Sequence, residues 1–177
     1  MVFFYSLSPL VPRETLITIY HSLVYPVITQ NMLIWGGIAA ANLRNIKIMM
    51  NNILRCILKV NRNHDGIPLM SVNTMYKQLN LLHFDDIYQY LLLRFLHSIL
   101  YINSELYNEY YVPLLPTHMY NTRNVRINLP PVRVEVERNS TLFQSCKLLN
   151  ELSNELLEPQ SAYSLKVKYK RLGLSKY

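Results

Sequence analysis

The segment from Ala40 to Val60 constrains the fold of this chain more than any other part of the sequence. Apolar residues recur there at the spacing of one face of an α-helix; they are Leu43, Ile46, Met50, Ile53, Leu54 and Ile57. The cations of the segment fall on a different face and are Arg44, Lys47, Arg55 and Lys59. The pattern predicts an amphipathic helix that packs one side on a core and offers positive charge to solvent on the other.

Helical spacing also dominates the rest of the chain. From Pro12 it predicts a helix that is interrupted at Pro26, restarts, and ends at Gly36-Gly37 beside a buried Trp35. Further helices are expected over Pro68–Gln78, Asp85–Asn103, Glu105–Tyr111, Ser140–Leu157 and Ala162–Leu172. The chain has only 4 Gly against 9 Pro and 14 Tyr, which argues against an all-β domain with many tight turns. We therefore expect a mainly α fold with at most a minor β-strand pair, for which Val132–Val136 is the candidate strand.

The least regular part of the sequence separates two predicted units. Residues 112–138 contain four prolines and four arginines and show no sustained helical spacing. We predict a bundle-like helical unit over residues 1–111, an irregular Pro/Arg-rich connection over 112–138, and a smaller basic helical unit over 139–177.

Positive charge is concentrated near the two ends of the chain. The formal net charge is +7; residues 1–62 hold six basic side chains and one acidic, and residues 160–177 hold five basic and none acidic. Two basic ends are typical of a protein that makes two contacts with a polyanion. A solubilising surface with a basic tail explains the same distribution equally well.

The sequence lacks the motifs of common enzymes. There is no Walker loop, dinucleotide fingerprint, nucleophile elbow, zinc-protease motif or zinc knuckle. Asp85-Asp86 could suggest a two-metal site, but the pair opens a predicted helix, which favours a capping role in its first turn. We expect no catalytic residue, no metal site and no cofactor.

Two features bear on the location of the protein. Cys56 and Cys146 form no CxxC motif, and the N-terminus lacks a secretory signal pattern, so an intracellular protein, nuclear or cytoplasmic, is expected. The apolar stretch Leu23–Ala41 contains Pro26, Gln30 and Asn31, which disfavours a membrane-spanning helix. A small membrane protein is kept as the third alternative.

Short phrases follow one another along the first part of the chain: Arg13-Glu-Thr-Leu16, Tyr20-His-Ser-Leu-Val24, Pro26-Val-Ile28 and Trp35-Gly36. Together they resemble a segment beyond the palm in reverse transcriptases of LINE-type (non-LTR) retrotransposons. Later phrases resemble the continuation of that segment in the same order: Asn51-Asn52 with Arg55, Pro68-Leu69, Leu82 with Asp86-Ile87-Tyr88, Tyr120-Asn121-Thr122-Arg123, Phe143-Gln144, Leu148, Asn150-Glu-Leu152 and Lys166–Lys170.

The resemblance covers nearly the whole chain but has departures. Gln30 stands where the family usually has tyrosine, Ser145 where it has glycine, Leu149 where it has tryptophan, and Ser153 where it has proline. The fingers and palm of the family, with their Tyr/Phe-x-Asp-Asp turn, do not occur in this sequence. The resemblance thus implies the work of a thumb and post-palm region, which is to grip a template–primer duplex of RNA or DNA and to dock on a palm domain.

The leading hypothesis is therefore non-catalytic, backbone-directed nucleic-acid binding. The candidate phosphate contacts are Arg44, Lys47, Arg55, Lys59, Arg123, Arg126, Lys166, Lys168, Lys170 and Arg171, with Tyr120 as a candidate for base stacking. The second hypothesis is a domesticated or eroded remnant whose apolar helix faces bind a protein partner or a second copy.

Overall fold

The computed structural model describes residues 2–37, 40–60, 70–115, 127–152, 156 and 161–174. Within them every regular element is a helix, so the mainly α prediction is confirmed. The α-helices are α1 (Val2–Leu7), α2 (Arg13–Ile19), α3 (Tyr25–Thr29), α4 (Met32–Trp35), α5 (Ala40–Leu58), α6 (Val72–Leu79), α7 (Phe84–Tyr101), α8 (Ser104–Tyr110), α9 (Glu135–Arg138), α10 (Thr141–Glu151) and α11 (Ala162–Leu174). A π-helical turn covers Tyr20–Val24 and a 3₁₀ turn covers Val112–Leu114.

Helix α5 confirms the strongest sequence prediction. All of its predicted apolar face is buried except Ile46, which is half-buried. The helix ends at Leu58 because Lys59 adopts a left-handed backbone with φ 55°, and the Val60 N–H then donates to the Arg55 carbonyl at 3.0 Å. This bond belongs to the usual left-handed ending of a helix, in which a free carbonyl of the last turn gains a partner.

The predicted interruption at Pro26 takes the form of a wider helical turn. Proline has no N–H to donate to the preceding turn, and its ring crowds that turn. The chain forms the π-helical turn Tyr20–Val24 just before it, and α-helical bonding restarts at Tyr25. A second break follows at Asn31, where φ is 54°.

The predicted strand at Val132–Val136 is wrong. Residues 127–134 of the described chain run without regular structure, and helix α9 begins at Glu135. The Glu137 carboxylate accepts hydrogen bonds from the backbone N–H groups of Arg133 at 2.7 Å and Val134 at 3.4 Å. These local bonds satisfy the donors that a neighbouring strand would otherwise have to bind.

Gly36-Gly37 ends the N-terminal helical run at a close corner. A β-carbon at Gly36 would lie 2.5 Å from the Met32 carbonyl oxygen and 2.5 Å from Cδ2 of Tyr88, and one at Gly37 would overlap the Asn139 carbonyl oxygen. The absence of side chains thus lets this corner contact both α7 and the α9–α10 junction. Trp35 is only half-buried, so the prediction of a buried Trp35 is wrong: its ring packs 5.9 Å from Phe84, and its Nε1 donates to the Gln30 carbonyl at 2.9 Å.

Helix α7 runs through most of the core. Phe84 and Ile87 pack with α4 and α5, while Leu96 and Ile99 pack with Ile127 and α10. Tyr90 and Leu93 pack with Leu156 and with Leu165 and Tyr169 of α11. A further cluster joins α1, α2, α5 and α6 around Leu16, Leu54 and Tyr76. The division into two units stays a prediction, and α7 contacts helices from both of them.

Two other sequence expectations concern the start of α6 and the possibility of a membrane-spanning helix. The helix expected from Pro68 begins at Val72 in the described chain, and Ser71 caps it by accepting from the Thr74 N–H at 3.1 Å. No helix within the described ranges has the length and apolar content needed to cross a bilayer.

The Gly36 corner yields a prediction about stability. Gly36→Ala forces Tyr88 or the Met32 turn to move, and we expect the free energy of unfolding to fall by about 1–3 kcal/mol, as in other overpacked sites. Urea denaturation measures this change. The matched control is Asn45→Ala on the exposed side of α5, for which a change within about 0.5 kcal/mol is expected; equal effects of both substitutions would contradict the tight corner.

Candidate nucleic-acid interface

The cations of α5 fall into two groups in the structure. Arg44 and Lys59 are exposed, whereas Lys47 and Arg55 are half-buried and have polar partners. The Lys47 ammonium lies 2.7 Å from the Asp85 carboxylate and 5.6 Å from the centre of the Phe84 ring. Arg55 donates from Nη1 to the Asn52 side-chain oxygen at 3.1 Å. The structure thus places three of the four on α5 and Lys59 directly after it, and of the four Arg44 and Lys59 are the exposed ones.

Asp85 and Asp86 lie in the first turn of α7, as the sequence predicted. The N-cap residue itself is His83, whose side chain makes no capping bond; the two carboxylates follow it within the first turn, where negative charge suits the helix dipole, and Asp85 also pairs with Lys47. The Lys47–Asp85 ion pair costs little to break, since exposed ion pairs contribute about 0–1 kcal/mol to the free energy of unfolding. Among the described residues no group of three His, Cys, Asp or Glu side chains is arranged to hold a metal ion.

The end of α5 forms one wall of an open cleft. The cleft has a volume of about 400 Å³ and lies between α5 and the residues around the end of α1. Arg55 and Lys59 line it together with Tyr5 and Ser8, and the Ser8 hydroxyl donates to the Cys56 carbonyl at 2.8 Å. Two cations beside a wide opening suit an extended, negatively charged chain better than a small enclosed ligand.

Helix α11 is docked on the body of the protein. Leu165 and Tyr169 are buried against Tyr90 and Leu93, and the Tyr169 hydroxyl donates to the Gln89 side-chain oxygen at 3.1 Å. This anchoring leaves the candidate cations of the helix on its outer sides: Lys166, Lys168 and Arg171 are exposed, and Lys170 is half-buried. The basic end of the described chain is therefore a fixed surface.

His21 joins this surface, although it is not among the candidate contacts predicted from the sequence. It lines a small cleft of about 100 Å³ with Lys166 and Lys170. His21 is exposed at the surface, but partial burial lowers its pKa below the usual value, and the charges of Lys170 and Lys166 lower it further. Burial and the charge of Lys166 likewise lower the pKa of Lys170. Nothing local in the sequence links position 21 to α11, because the contact depends on how the helices pack.

Most candidate cations have no carboxylate partner within the described ranges. The ion pairs found there join Lys47 to Asp85 and Lys147 to Glu151, the second at 4.0 Å. Arg44, Lys59 and the basic residues of α11 take part in neither pair. Tyr120, Arg123 and Arg126 lie outside the described residues, so the loop contacts predicted for them stay predictions.

Comparisons of the chain with protein-family models, with curated protein sequences and with solved structures found no match.

His83, at the start of α7, supplies a measurable link between protonation and folding. Its ring stacks on Tyr76, with 3.9 Å between ring centres. Burial lowers the pKa of His83, and this effect exceeds the opposing attraction of Asp86 and Asp85. The unfolded chain therefore binds a proton at a higher pH than the folded chain does.

We expect the free energy of unfolding to decrease as the pH falls below about 6.5, the ordinary pKa of histidine. The stabilisation is complete above that pH and is lost as the pH drops towards the folded-state value. Urea denaturation between pH 8 and pH 5 measures the slope. His83→Asn keeps an acceptable N-cap residue and should reduce the slope, whereas an unchanged slope would show that His83 does not contribute.

Proposed function

We propose that the chain is a non-catalytic nucleic-acid-binding module, related to the thumb and post-palm region of LINE-type reverse transcriptases. It grips the backbone of a template–primer duplex of RNA or DNA, and it works inside the cell, in the nucleus or cytoplasm. The observation that carries the proposal is the set of exposed cations on α5 and α11 that have no carboxylate partner among the described residues. The ordered series of family-like phrases supports the same assignment.

Physical chemistry explains why such a surface suits a nucleic-acid backbone. A duplex holds condensed counterions, and each lysine or arginine that contacts a phosphate releases some of them to solution. Cations already neutralised by a carboxylate gain less, because they exchange one anion for another. Arg44 and Lys59 on α5, and Lys168 and Arg171 on α11, are therefore the strongest candidate contacts.

The proposal also includes a protein partner. In the family, this region follows a palm domain in the same polypeptide, and a thumb works by positioning the duplex for the palm. We propose a reverse-transcriptase palm as a protein partner, with no metal, cofactor or catalytic residue supplied by the chain itself.

The salt dependence of binding tests the nucleic-acid proposal. Replacing Arg44 and Lys59 with Gln should weaken binding to any duplex and reduce the slope of log affinity against log salt by about 0.7–0.9 for each phosphate that the variant no longer touches. Lys168→Gln with Arg171→Gln should produce a separate and roughly additive loss of affinity. These substitutions are preferable to removing the C-terminal segment, because Leu165 and Tyr169 of α11 are part of the core.

Lys77→Gln is the matched control, since Lys77 is an exposed cation on α6 outside the candidate set. It should change the salt slope by less than either double substitution. Fluorescence anisotropy with two duplexes of unrelated sequence measures all four proteins. The nucleic-acid proposal fails if both double variants keep the affinity and the slope of the original chain.

A protein-interaction module is the second candidate, and one observation favours it. Three large apolar side chains near the N-terminal helices are unusually open to solvent: Leu23 is 57% exposed, Val27 71% and Ile34 77%. Scattered apolar residues are ordinary on protein surfaces, but several on consecutive helical segments are typical of a docking face.

Oligomeric state distinguishes this candidate from the first. If the face joins two copies, light scattering should show a concentration-dependent dimer that persists in high salt, and Val27→Gln should shift it to monomer. Val136, which is 79% exposed on α9, provides the control Val136→Gln, with no shift expected. A monomer at every concentration and salt would exclude self-association through this face.

A further inference from the structure

A small basic cleft lies between α11, α7 and the π-helical turn. The polar part of its walls consists of His21, Tyr25, Tyr90, Lys166 and Lys170, its other lining residues are Asn80, Leu81, Leu82 and Ile87, and its volume is about 100 Å³. A space of this size is large enough for one tetrahedral anion.

We propose that this basic cleft is a binding site for a single phosphate group, held by the ammonium groups of Lys166 and Lys170 and by the protonated imidazole of His21. Lys166 and Lys170 line one small space together with His21, which comes from a distant part of the chain, and the two ammonium groups repel each other. An anion between them removes that repulsion and adds charge-assisted hydrogen bonds.

The backbone that carries His21 is itself unusual. The residue lies in the π-helical turn Tyr20–Val24, which places it at the rim of the basic cleft. Single π-helical turns inside α-helical runs occur often at functional sites, because the extra residue redirects side chains. Here the turn directly precedes Pro26, which has no N–H to donate to the preceding turn.

The groups around the basic cleft favour an anion over a cation. Tyr25 and Tyr90 offer hydroxyl groups, and burial raises the pKa of both, so both stay protonated and neutral. Arg94 of α7 adds a positive charge that acts on both tyrosines. The carboxylate of Asp86 acts on Tyr169, on the side of α11 that faces Gln89, while the charges that act on His21 are those of Lys170 and Lys166.

Binding at this site must be coupled to protonation. Without a ligand, burial and the two lysines lower the pKa of His21, so the imidazole is mostly neutral at pH 7. A bound anion stabilises the imidazolium and raises that pKa, and by reciprocity the anion binds more tightly as the pH falls. Each unit by which the ligand raises the pKa corresponds to a tenfold gain in affinity at low pH.

The inference rests on the proposed function only for the source of the phosphate, which is either the backbone of a nucleic acid or a terminal phosphate. Inorganic sulfate is a suitable first probe for the full chain, because it has the same shape as phosphate and its charge is constant between pH 5.5 and 8. We expect sulfate affinity to rise at least severalfold over that fall in pH. Saturating sulfate should raise the pKa of His21, followed by the NMR shift of its ring and assigned with His21→Gln.

Variants distinguish the basic cleft from a diffuse basic surface. Lys166→Gln and Lys170→Gln should each lower sulfate affinity severalfold, and His21→Gln should remove the pH dependence. Lys168→Gln is the matched control, because Lys168 is exposed on the same helix but does not line the cleft. A loss at Lys168 equal to that at Lys170, or a pH dependence that survives His21→Gln, would overturn the inference.

Two oligonucleotides then identify the source of the phosphate. If His21→Gln weakens binding of a 5′-phosphorylated strand more than of a 5′-hydroxyl strand, the basic cleft holds a terminal phosphate. An equal loss with both strands shows that it holds a backbone phosphate, and no loss with either overturns the inference. The slope of log affinity against log salt for the variant with Arg44 and Lys59 replaced by Gln does not depend on this result. The proposed function and the phosphate site can therefore fail separately.

Discussion

Burial of helix α7 on several sides is the interaction on which the described structure depends. Phe84 and Ile87 near its start, Tyr90 and Leu93 in its middle, and Leu96 and Ile99 towards its end enter three different hydrophobic clusters. Each large side chain fully removed from water contributes about 1.5–3 kcal/mol before entropy is counted. A helix that is apolar around most of its circumference must be surrounded by others, and here α4, α5, α10 and α11 provide that cover.

The same helix sets the positions of the candidate binding groups. Phe84 and Ile87 near its start pack with apolar residues of α5, and Tyr90 in its middle packs with Tyr169 of α11. The two basic surfaces are thus fixed through one element, so their spacing follows from apolar packing. A rigid pair of basic surfaces loses little conformational entropy when it meets a polyanion, which is an advantage over two mobile tails.

What the sequence could predict follows the range of the interactions involved. The apolar face of α5 repeats every three or four residues, so Leu54 and Ile57 could be placed in the core from spacing alone. The alternation of apolar and polar residues at Val132–Val136 led to the wrong prediction of a strand. The backbone N–H groups there donate to the Glu137 carboxylate instead of to a neighbouring strand. His21 was missed for the opposite reason, since its neighbours Lys166 and Lys170 come from the far end of the chain.

Lys59 shows a trade between stability and charge at the end of α5. Its left-handed backbone, with φ 55°, costs an ordinary residue about 1 kcal/mol relative to glycine, which adopts this conformation freely. A cation at the negative end of the helix dipole is stabilised by about 0.3–1 kcal/mol, which offsets most of the cost of the left-handed backbone. A lysine can therefore replace the glycine typical of such helix ends at almost no net loss, and the chain gains an exposed cation held on a rigid corner.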